Sequence, residues 1–332
     1  MNISVIIPVY KVEPYIERCL RSIMNQTFTD GVECIIVNDC SPDNSIKIAK
    51  KLISEYNGDI LFKIISHVHN RGIAATRNTG LKVAKGIYVQ HIDGDDYAES
   101  TMLEELYKEA LKTDADIIFA DYWITYKDYE EYTHQYFTSS KQEMVNLILR
   151  NKISVGIWDK MFKRELYTKN NIQCIEGANM AEDFRSYLYL MLAAKKITQV
   201  KQAFIHYVKF NESSYTYQTS PKKLLDEIIN TTEITNYIKS SEPLFDTYKN
   251  AVYNRELILK LKLLLHSKGP LQKEWNNLYK DADKEIFNNA SYSKYWALAL
   301  WGASHGWLPW FNAFRFVWIK LKRNPIAIFN KL

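Results

Sequence analysis

Three acidic clusters carry residue types with chemistry to offer. Asp93-Gly94-Asp95-Asp96 places three carboxylates in four positions, and their mutual repulsion is a cost that a bound divalent cation relieves. Mg²⁺ takes one or two carboxylates and completes its octahedron with phosphate oxygens and water. Gly94 lets the backbone turn sharply and approach a ligand closely. The competing reading, an acidic helix N-terminus favoured by the macrodipole, suits Asp96, but Asp93 lies too early for it. Asn38-Asp39-Cys40-Ser41 offers a carboxylate able to accept hydrogen bonds from a base or ribose edge; Asp39 and Ser41 serve equally well as caps of the following helix. Glu182-Asp183 precedes an amphipathic run. It supplies a carboxylate far along the chain from the acidic triplet, fit to act as general base on an acceptor hydroxyl, or in the plainer reading to cap that helix through Asp183.

These clusters need elements to position them. Residues 3–7 are a nearly continuous β-branched run, as expected of a strand buried on both faces, and Pro8 stops it. Tyr15, Ile16, Cys19, Leu20 and Ile23 then recur at helical spacing, with Pro14 where a first turn tolerates proline. Further strands over 33–37, 60–65, 87–92 and 116–120 alternate with helices opening at Ser41-Pro42 and covering 72–84 and 100–112. This alternation predicts an α/β fold with a doubly wound, mostly parallel sheet, whose ligands bind beyond the carboxyl ends of the strands. Asp39 and Asp93 both fall there. Residues 122–136, dense in Tyr and acidic groups, read as an exposed loop or edge ribbon; helical periodicity returns at Phe184, Tyr187, Leu188 and Met191, and the chain is mostly helical beyond Ser220-Pro221.

The length of 332 residues suggests two units. The boundary expected is a catalytic domain over 1–219, divided into a donor half (1–98) and an acceptor half (99–219), followed by a helical region over 220–332. With 47% apolar and 24% charged residues the chain has the balance of a folded protein. Four cysteines (Cys19, Cys34, Cys40, Cys174) without paired spacing, and no secretory pattern ahead of the first strand, predict free thiols, no structural zinc and a cytoplasmic protein. Of the net charge of +5, residues 286–332 contribute six basic and no acidic groups, which leaves the remainder near neutral. Residues 295–314 carry no formal charge and hold Trp296, Trp301, Trp307 and Trp310. Gly302, His305, Gly306 and Pro309 interrupt that stretch. An interfacial helix or hairpin on anionic lipid fits it, with Lys320, Lys322 and Arg323 against phosphates, on the inner face of the cell membrane. The alternative is a helix packed on the catalytic domain or in a dimer interface. Nothing in the charge pattern points to nucleic acid.

In order along the chain, Ile3-Ser4-Val5-Ile6-Ile7-Pro8-Val9-Tyr10, Cys19-Leu20-Arg21-Ser22-Ile23, Val37-Asn38-Asp39-Cys40-Ser41, Asn70-Arg71-Gly72, Thr76-Arg77-Asn78-Thr79-Gly80, Asp93-Gly94-Asp95-Asp96, Trp158-Asp159-Lys160-Met161-Phe162 and Ala181-Glu182-Asp183 resemble the motifs of family 2 glycosyltransferases of GT-A fold, over about residues 1–215. The resemblance implies an inverting enzyme of bacterial polysaccharide type, moving a sugar from a nucleotide-sugar, preferentially a UDP-sugar, to a hydroxyl of a glycan or lipid-linked glycan. By it, Pro8, Tyr10 and Asp39 hold the nucleoside with Asn70 and Arg77 nearby, Asp93 sits against ribose or metal, Asp95 binds Mg²⁺ or Mn²⁺, and Asp183 is the base. Asn38 stands where the family often has Asp, Cys40 where it commonly has Gly, and His91 where a large apolar residue is usual. His91 reads as a satisfied core histidine or a group supporting the site from behind, and His206 as a core or edge-strand residue or a further metal ligand.

A nucleotidyltransferase would need a Gly-rich basic loop after the first strand, and Pro8-Val9-Tyr10-Lys11-Val12 has no glycine. A dinucleotide oxidoreductase would need G-x-G-x-x-G there. A non-catalytic nucleotide-sugar-binding protein is the remaining alternative, and retention of Asp95 and Asp183 argues against it.

Overall fold

Every residue of β1 (Ile3–Val9) is buried, because strands pair on both of its edges and helices cover both of its faces. The chain continues through α1 (Ile16–Met24), β2 (Val32–Asn38), α2 (Ser45–Glu55), β3 (Leu61–Ser66), α3 (Ile73–Val83), β4 (Tyr88–His91), β5 (Tyr97–Ala98) and α4 (Met102–Thr113). Next come β6 (Ile117–Thr125), β7 (Glu130–Thr133), α5 (Lys141–Leu149), β8 (Lys160–Lys163), α6 (Arg164–Lys169), α7 (Glu182–Ala193) and β9 (Ile197–Val208). The remaining elements are α8 (Pro221–Lys239), α9 (Glu242–His266), a 3₁₀ helix (Lys280–Asn288) and α10 (Lys294–Gly302). The structure is a computed structural model that describes residues 1–211, 215, 220–266, 275–288 and 291–307. Its contacts divide the chain into Met1–Met144 with Val155–Gln218, and Val145–Ser154 with Thr219–Leu332.

The first unit holds a nine-stranded sheet among the described residues, ordered β3-β2-β1-β4-β8-β6-β9-β5, with β7 paired to β6. Parallel pairing joins β1 to β2 and β4, β2 to β3, and β6 to β9, whereas β8 runs antiparallel between β4 and β6. Six strands therefore share one direction, and the sheet is mixed, as in a Rossmann-like GT-A arrangement. The four leading strands form where the apolar runs predict them. β3 lies at the sheet edge and alternates between exposed and part-buried positions. The expected strand at 116–120 extends to Thr125 and pairs with β7, so the Tyr-rich segment is an edge ribbon. Sequence periodicity did not indicate β5, β8 or β9; β8 places a fully buried Lys160 where an apolar residue would announce a strand.

The second unit is helical. Ser220 caps α8, its hydroxyl accepting from Lys223 N at 3.3 Å, and Pro221 follows in the first turn, where a missing N–H costs nothing. Leu257, Leu261, Leu264, Trp275, Ile286 and Leu300 form its core. Fully buried Lys260 is held there by both oxygens of Asp283 (2.7 and 2.8 Å) and lies 4.5 Å over the Trp275 ring. No described helix is long and apolar enough to cross a membrane.

α3 lies against β1 through Gly80, where an added Cβ would come within 2.5 Å of Ile6 Cγ2. Alanine in a helix interior is favoured over glycine by about 1 kcal/mol, but overpacking a full core costs about 1–3 kcal/mol, and Ile6 is completely buried. Packing outweighs propensity. Gly80→Ala is expected to lower stability by roughly 1–2 kcal/mol in urea denaturation; an unchanged or raised midpoint would show that α3 can lift off the sheet without cost.

Candidate active site

β2 ends beside β1, and Asp39 N donates to Val9 O at 3.0 Å. From there the Asp39 carboxylate turns inward, 2% exposed, to the N-terminus of α3. Its Oδ1 accepts from Arg71 N (2.8 Å) and pairs with His67 Nδ1 (2.7 Å), and its Oδ2 accepts from Gly72 N (2.7 Å). His67 Nε2 in turn meets Thr79 Oγ1 at 2.9 Å. A carboxylate set against two successive backbone amides satisfies donors that otherwise lack partners. Asp39 thus holds the turn just ahead of α3 and does not cap the helix that follows it in sequence; within α3, Ala74 N finds its side-chain acceptor in Asn179. The start of α2 is served by Asp43, whose Oδ1 accepts from Ser45 N, Ser45 Oγ and Ser41 Oγ. Asn38 fills its position well: its Oδ1 accepts from Ser41 N at 2.9 Å and its amide donates to Ser66 Oγ at 3.2 Å. Cys40 has φ +55°, a left-handed conformation that glycine adopts freely and other residues reach at a cost of about 1–2 kcal/mol. The turn keeps the shape glycine would give it.

Near this turn, Pro8 pairs with Val37 at the end of the sheet, and Tyr10 is 40% exposed. The Asn70 amide donates to Asp39 O at 3.4 Å. Gly72 has φ +86°, and a Cβ there would strike the Asn179 amide at 2.3 Å.

The acidic motif follows β4. Gly94 passes so close to the β1 loop that a Cβ would lie 2.9 Å from Pro8 O. Asp96 is fully buried; its Oδ1 accepts from Val208 N at 2.8 Å, and its Oδ2 has no protein partner. It ties the motif to β9, and β5, not a helix, comes next. Burial, with Asp95 and Asp93 adding to it, pushes Asp96 well above the ordinary range. Asp95 accepts from Asn211 Nδ2 at 2.7 Å, and burial together with Asp93 pushes it up to about 6 against the pull of Asn211 and Arg18. No cluster of three or more His, Cys, Asp or Glu able to hold a metal occurs among the described residues. A hard cation needs only one or two carboxylates from the protein, and this all-oxygen donor set, with an unpartnered oxygen and raised proton affinity, has the negative charge in excess that such a cation offsets.

Arg77, on the buried side of α3 and 4% exposed, reaches two carboxylates. One arm meets Asp93 Oδ1 at 3.2 Å and the other forms an ion pair with Glu182, the first residue of α7. Burial pushes Glu182 up, Arg77 opposing and Asp183 adding. Burial likewise raises Asp183, with Arg77 opposing and Asp93 adding, while its Oδ1 accepts from Phe184 N at 2.7 Å. Ala181, just before them, is left-handed at φ +63°, strain of a kind that concentrates at functional sites. Three further contacts lash α3 and the turn before it to the segment leading into α7. Asn78 exchanges hydrogen bonds with the Cys174 backbone (2.9 and 2.8 Å), Ala74 N donates to Asn179 Oδ1 (3.1 Å), and Arg71 pairs with Glu176 (2.6 Å).

Asp93, Arg77 and Asp183 thus share one charge cluster with Asp95 next along the motif, while Asp39 and Asn70 gather at the N-terminal end of α3. Sequence reading passed over Glu182 as the partner of Arg77, and over Asn179 and Asn211. No local signal marks a contact across 105 residues. Asp159 is buried with Lys160, which forms an ion pair with it and lies 4.6 Å over the Tyr187 ring. His91 is a buried core residue, its Nε2 on Tyr167 Oη at 3.1 Å, held neutral by burial and by Arg77, which lower it to about 3. His206 lies on β9, bridged to Glu99 (2.9 Å) and Glu130 (2.8 Å) and stacked on Tyr97.

The family model for Glycosyl transferase family 2 matches residues 4–176, more than half of the chain. The chain belongs to glycosyl transferase family 2. Among its relatives, an uncharacterized glycosyltransferase, EpsJ, of Bacillus subtilis is 30% identical over 231 residues, covering 68% of this chain and 63% of that protein. A cholesterol galactosyltransferase of Borreliella burgdorferi is 33% identical over 218 residues, 61% of this chain and 59% of its own length. The chain therefore spans about three fifths of these two relatives. In fold it is similar to the crystal structure of S. aureus TarS 1-349 in complex with UDP-GlcNAc, with TM-score 0.74 and 20% identity over 97% of this chain and 93% of that one. The match to the family includes Asp39, Arg77, Asp93 and Asp95; Asp183 lies beyond it.

The charge crowding at Asp95 has a measurable consequence. With its pKa raised from 3.8 to about 6, Asp95 is protonated in the folded protein and ionised in the unfolded chain between those values. Folding takes up a proton there, so its contribution to stability falls as pH rises through the window. In cation-free buffer, Asp95→Asn is expected to match the parent near the lower edge of that window and to exceed it at neutral pH by on the order of 1 kcal/mol. Urea denaturation at the two pH values checks this, and a variant no more stable at neutral pH contradicts it.

Proposed function

We propose that the chain transfers a sugar, with inversion, from a UDP-sugar to a hydroxyl of a glycan or lipid-linked glycan acceptor in surface polysaccharide synthesis. The observation that carries this reading is the joining of Asp183 to the donor motif: Arg77 binds Asp93 with one arm and Glu182 with the other, so a carboxylate fit to take a proton sits in the same cluster as the carboxylates fit for the diphosphate. Membership of the family supports it. So do the UDP-GlcNAc held by TarS, which has this fold, and the galactosyl transfer named for the Borreliella relative.

In this reading Asp39 and Asn70, with Pro8 and the exposed ring of Tyr10, receive the nucleoside. Asp95, aided by Asp93, would hold Mg²⁺ or Mn²⁺, which when bound offsets charge on the leaving diphosphate. Arg77 neutralises Glu182 and leaves Asp183 to act. Burial raises the proton affinity of Asp183, which suits a base working near neutral pH. Its carboxylate takes the acceptor hydroxyl proton as that oxygen bonds to the anomeric carbon, and the bond to the nucleoside diphosphate breaks on the opposite face. A lipid-linked acceptor would place the chain at the cytoplasmic face of a membrane, through residues 295–332; of these, 308–332 lie outside the described residues.

Two measurements test the reading. A panel of nucleotide-sugars with Mn²⁺ is expected to give the largest thermal stabilisation for a UDP-sugar, since a ligand of the native state raises stability by linkage. Asp183→Asn is expected to keep that stabilisation while turnover drops roughly 10²–10⁴-fold, the usual range for losing a general base. Turnover near that of the parent would remove the base assignment, and the absence of stabilisation by any nucleotide-sugar would remove the donor assignment.

A further inference from the structure

Beyond Lys294, which opens it, α10 is apolar on every side. Trp296, Ala297 and Leu300 face the core of the helical unit, together with Ala303 just beyond the helix. The opposite side carries Tyr295, Leu298 (59% exposed) and Trp301. Phe287, at the end of the 3₁₀ helix, has its ring centroid 6.5 Å from that of Trp301, and the ring of Trp307 (61% exposed) lies 6.2 Å from that of Trp301. These five side chains make one exposed apolar surface. Trp301 and Trp307 are also the only exposed tryptophans among the described residues. A helix apolar all round is normally covered on all sides by protein or lipid, and among the described residues the protein core covers one side.

Charge indicates what meets the other. Residues 286–332 hold six Lys and Arg and no Asp or Glu, and Lys294 opens the helix. Tryptophan beside an acid-free basic flank is the composition of a segment lying in the headgroup layer of an anionic bilayer. At nine residues α10 is far shorter than the ~20 needed to cross, so it would lie in the plane of the interface.

We propose that Phe287, Tyr295, Leu298, Trp301 and Trp307 form a membrane-docking face that inserts into the interface of an anionic lipid bilayer. The proposal deepens the lipid-linked acceptor reading, on which it rests for its purpose, but lipid binding is measurable without transfer.

The test is flotation of the full chain with vesicles of phosphatidylglycerol and phosphatidylcholine, against phosphatidylcholine alone. The unaltered chain is expected to float with the anionic vesicles, and Leu298→Glu with Trp301→Glu to reduce the bound fraction roughly tenfold or more, with hydrolysis of a UDP-sugar in water and the melting midpoint retained. Should that variant fail to fold, quenching of tryptophan emission by brominated lipid takes its place, expected in the unaltered chain and diminished in Trp301→Phe with Trp307→Phe. Equal flotation of the Glu variant, equal quenching in the Phe variant, or no flotation of the unaltered chain overturns the proposal. A vesicle-independent dimer abolished by the Glu substitutions also overturns it, and assigns the face to a second copy. A chain that floats without binding any nucleotide-sugar fails the transfer reading alone.

Discussion

A buried guanidinium must find carboxylates or leave its own charge uncompensated, and removing one partner of such a pair costs about 3–5 kcal/mol. Arg77 is nearly inaccessible to water and meets this requirement with Asp93 on one side and Glu182 on the other. Those two residues come from the end of β4 and the start of α7. The demand for charge balance therefore fixes the acidic motif against the helix that carries Asp183. Burial raises the proton affinity of Glu182 and Asp183 against the pull of Arg77, and the neighbouring carboxylates add to it.

α3 carries this constraint along its length. The turn before it binds Asp39, its first turn meets Asn179, its middle holds Arg77 and Asn78, and Gly80 lets it lie directly on β1. Movement of α3 would disturb the nucleoside end, the acidic motif and α7 together. The left-handed Ala181 and the close pairing of Gly72 with Asn179 are the backbone adjustments that let the loop before α7 reach α3. In the proposed transfer, one helix thus keeps the donor and acceptor sides in register.

Much of this was legible in the sequence, and the limits have physical causes. β1 and β2 are mostly apolar because both faces are covered, so their runs show plainly. β8 and β9 are not, because β8 buries Lys160 against Asp159 and β9 spends half of its length part-exposed. Asp39, Asp93, Asp95 and Asp183 stood out by type and by their places at the ends of elements. The mate of Arg77 did not, since an ion pair across 105 residues leaves no periodicity. Nor did the left-handed turn at Cys40, where the side chain gives no hint of the backbone. The helical unit was legible as helix, but its exposed apolar face emerged only once the inward side of α10 was known.

The most direct test of the account is the configuration of the sugar first released when the chain cleaves its nucleotide-sugar with water as acceptor, followed by proton NMR faster than mutarotation. A single displacement assisted by Asp183 predicts the anomer opposite to that in the donor. First release of the same anomer would contradict it, because attack from the face opposite the departing diphosphate cannot leave the anomeric configuration unchanged.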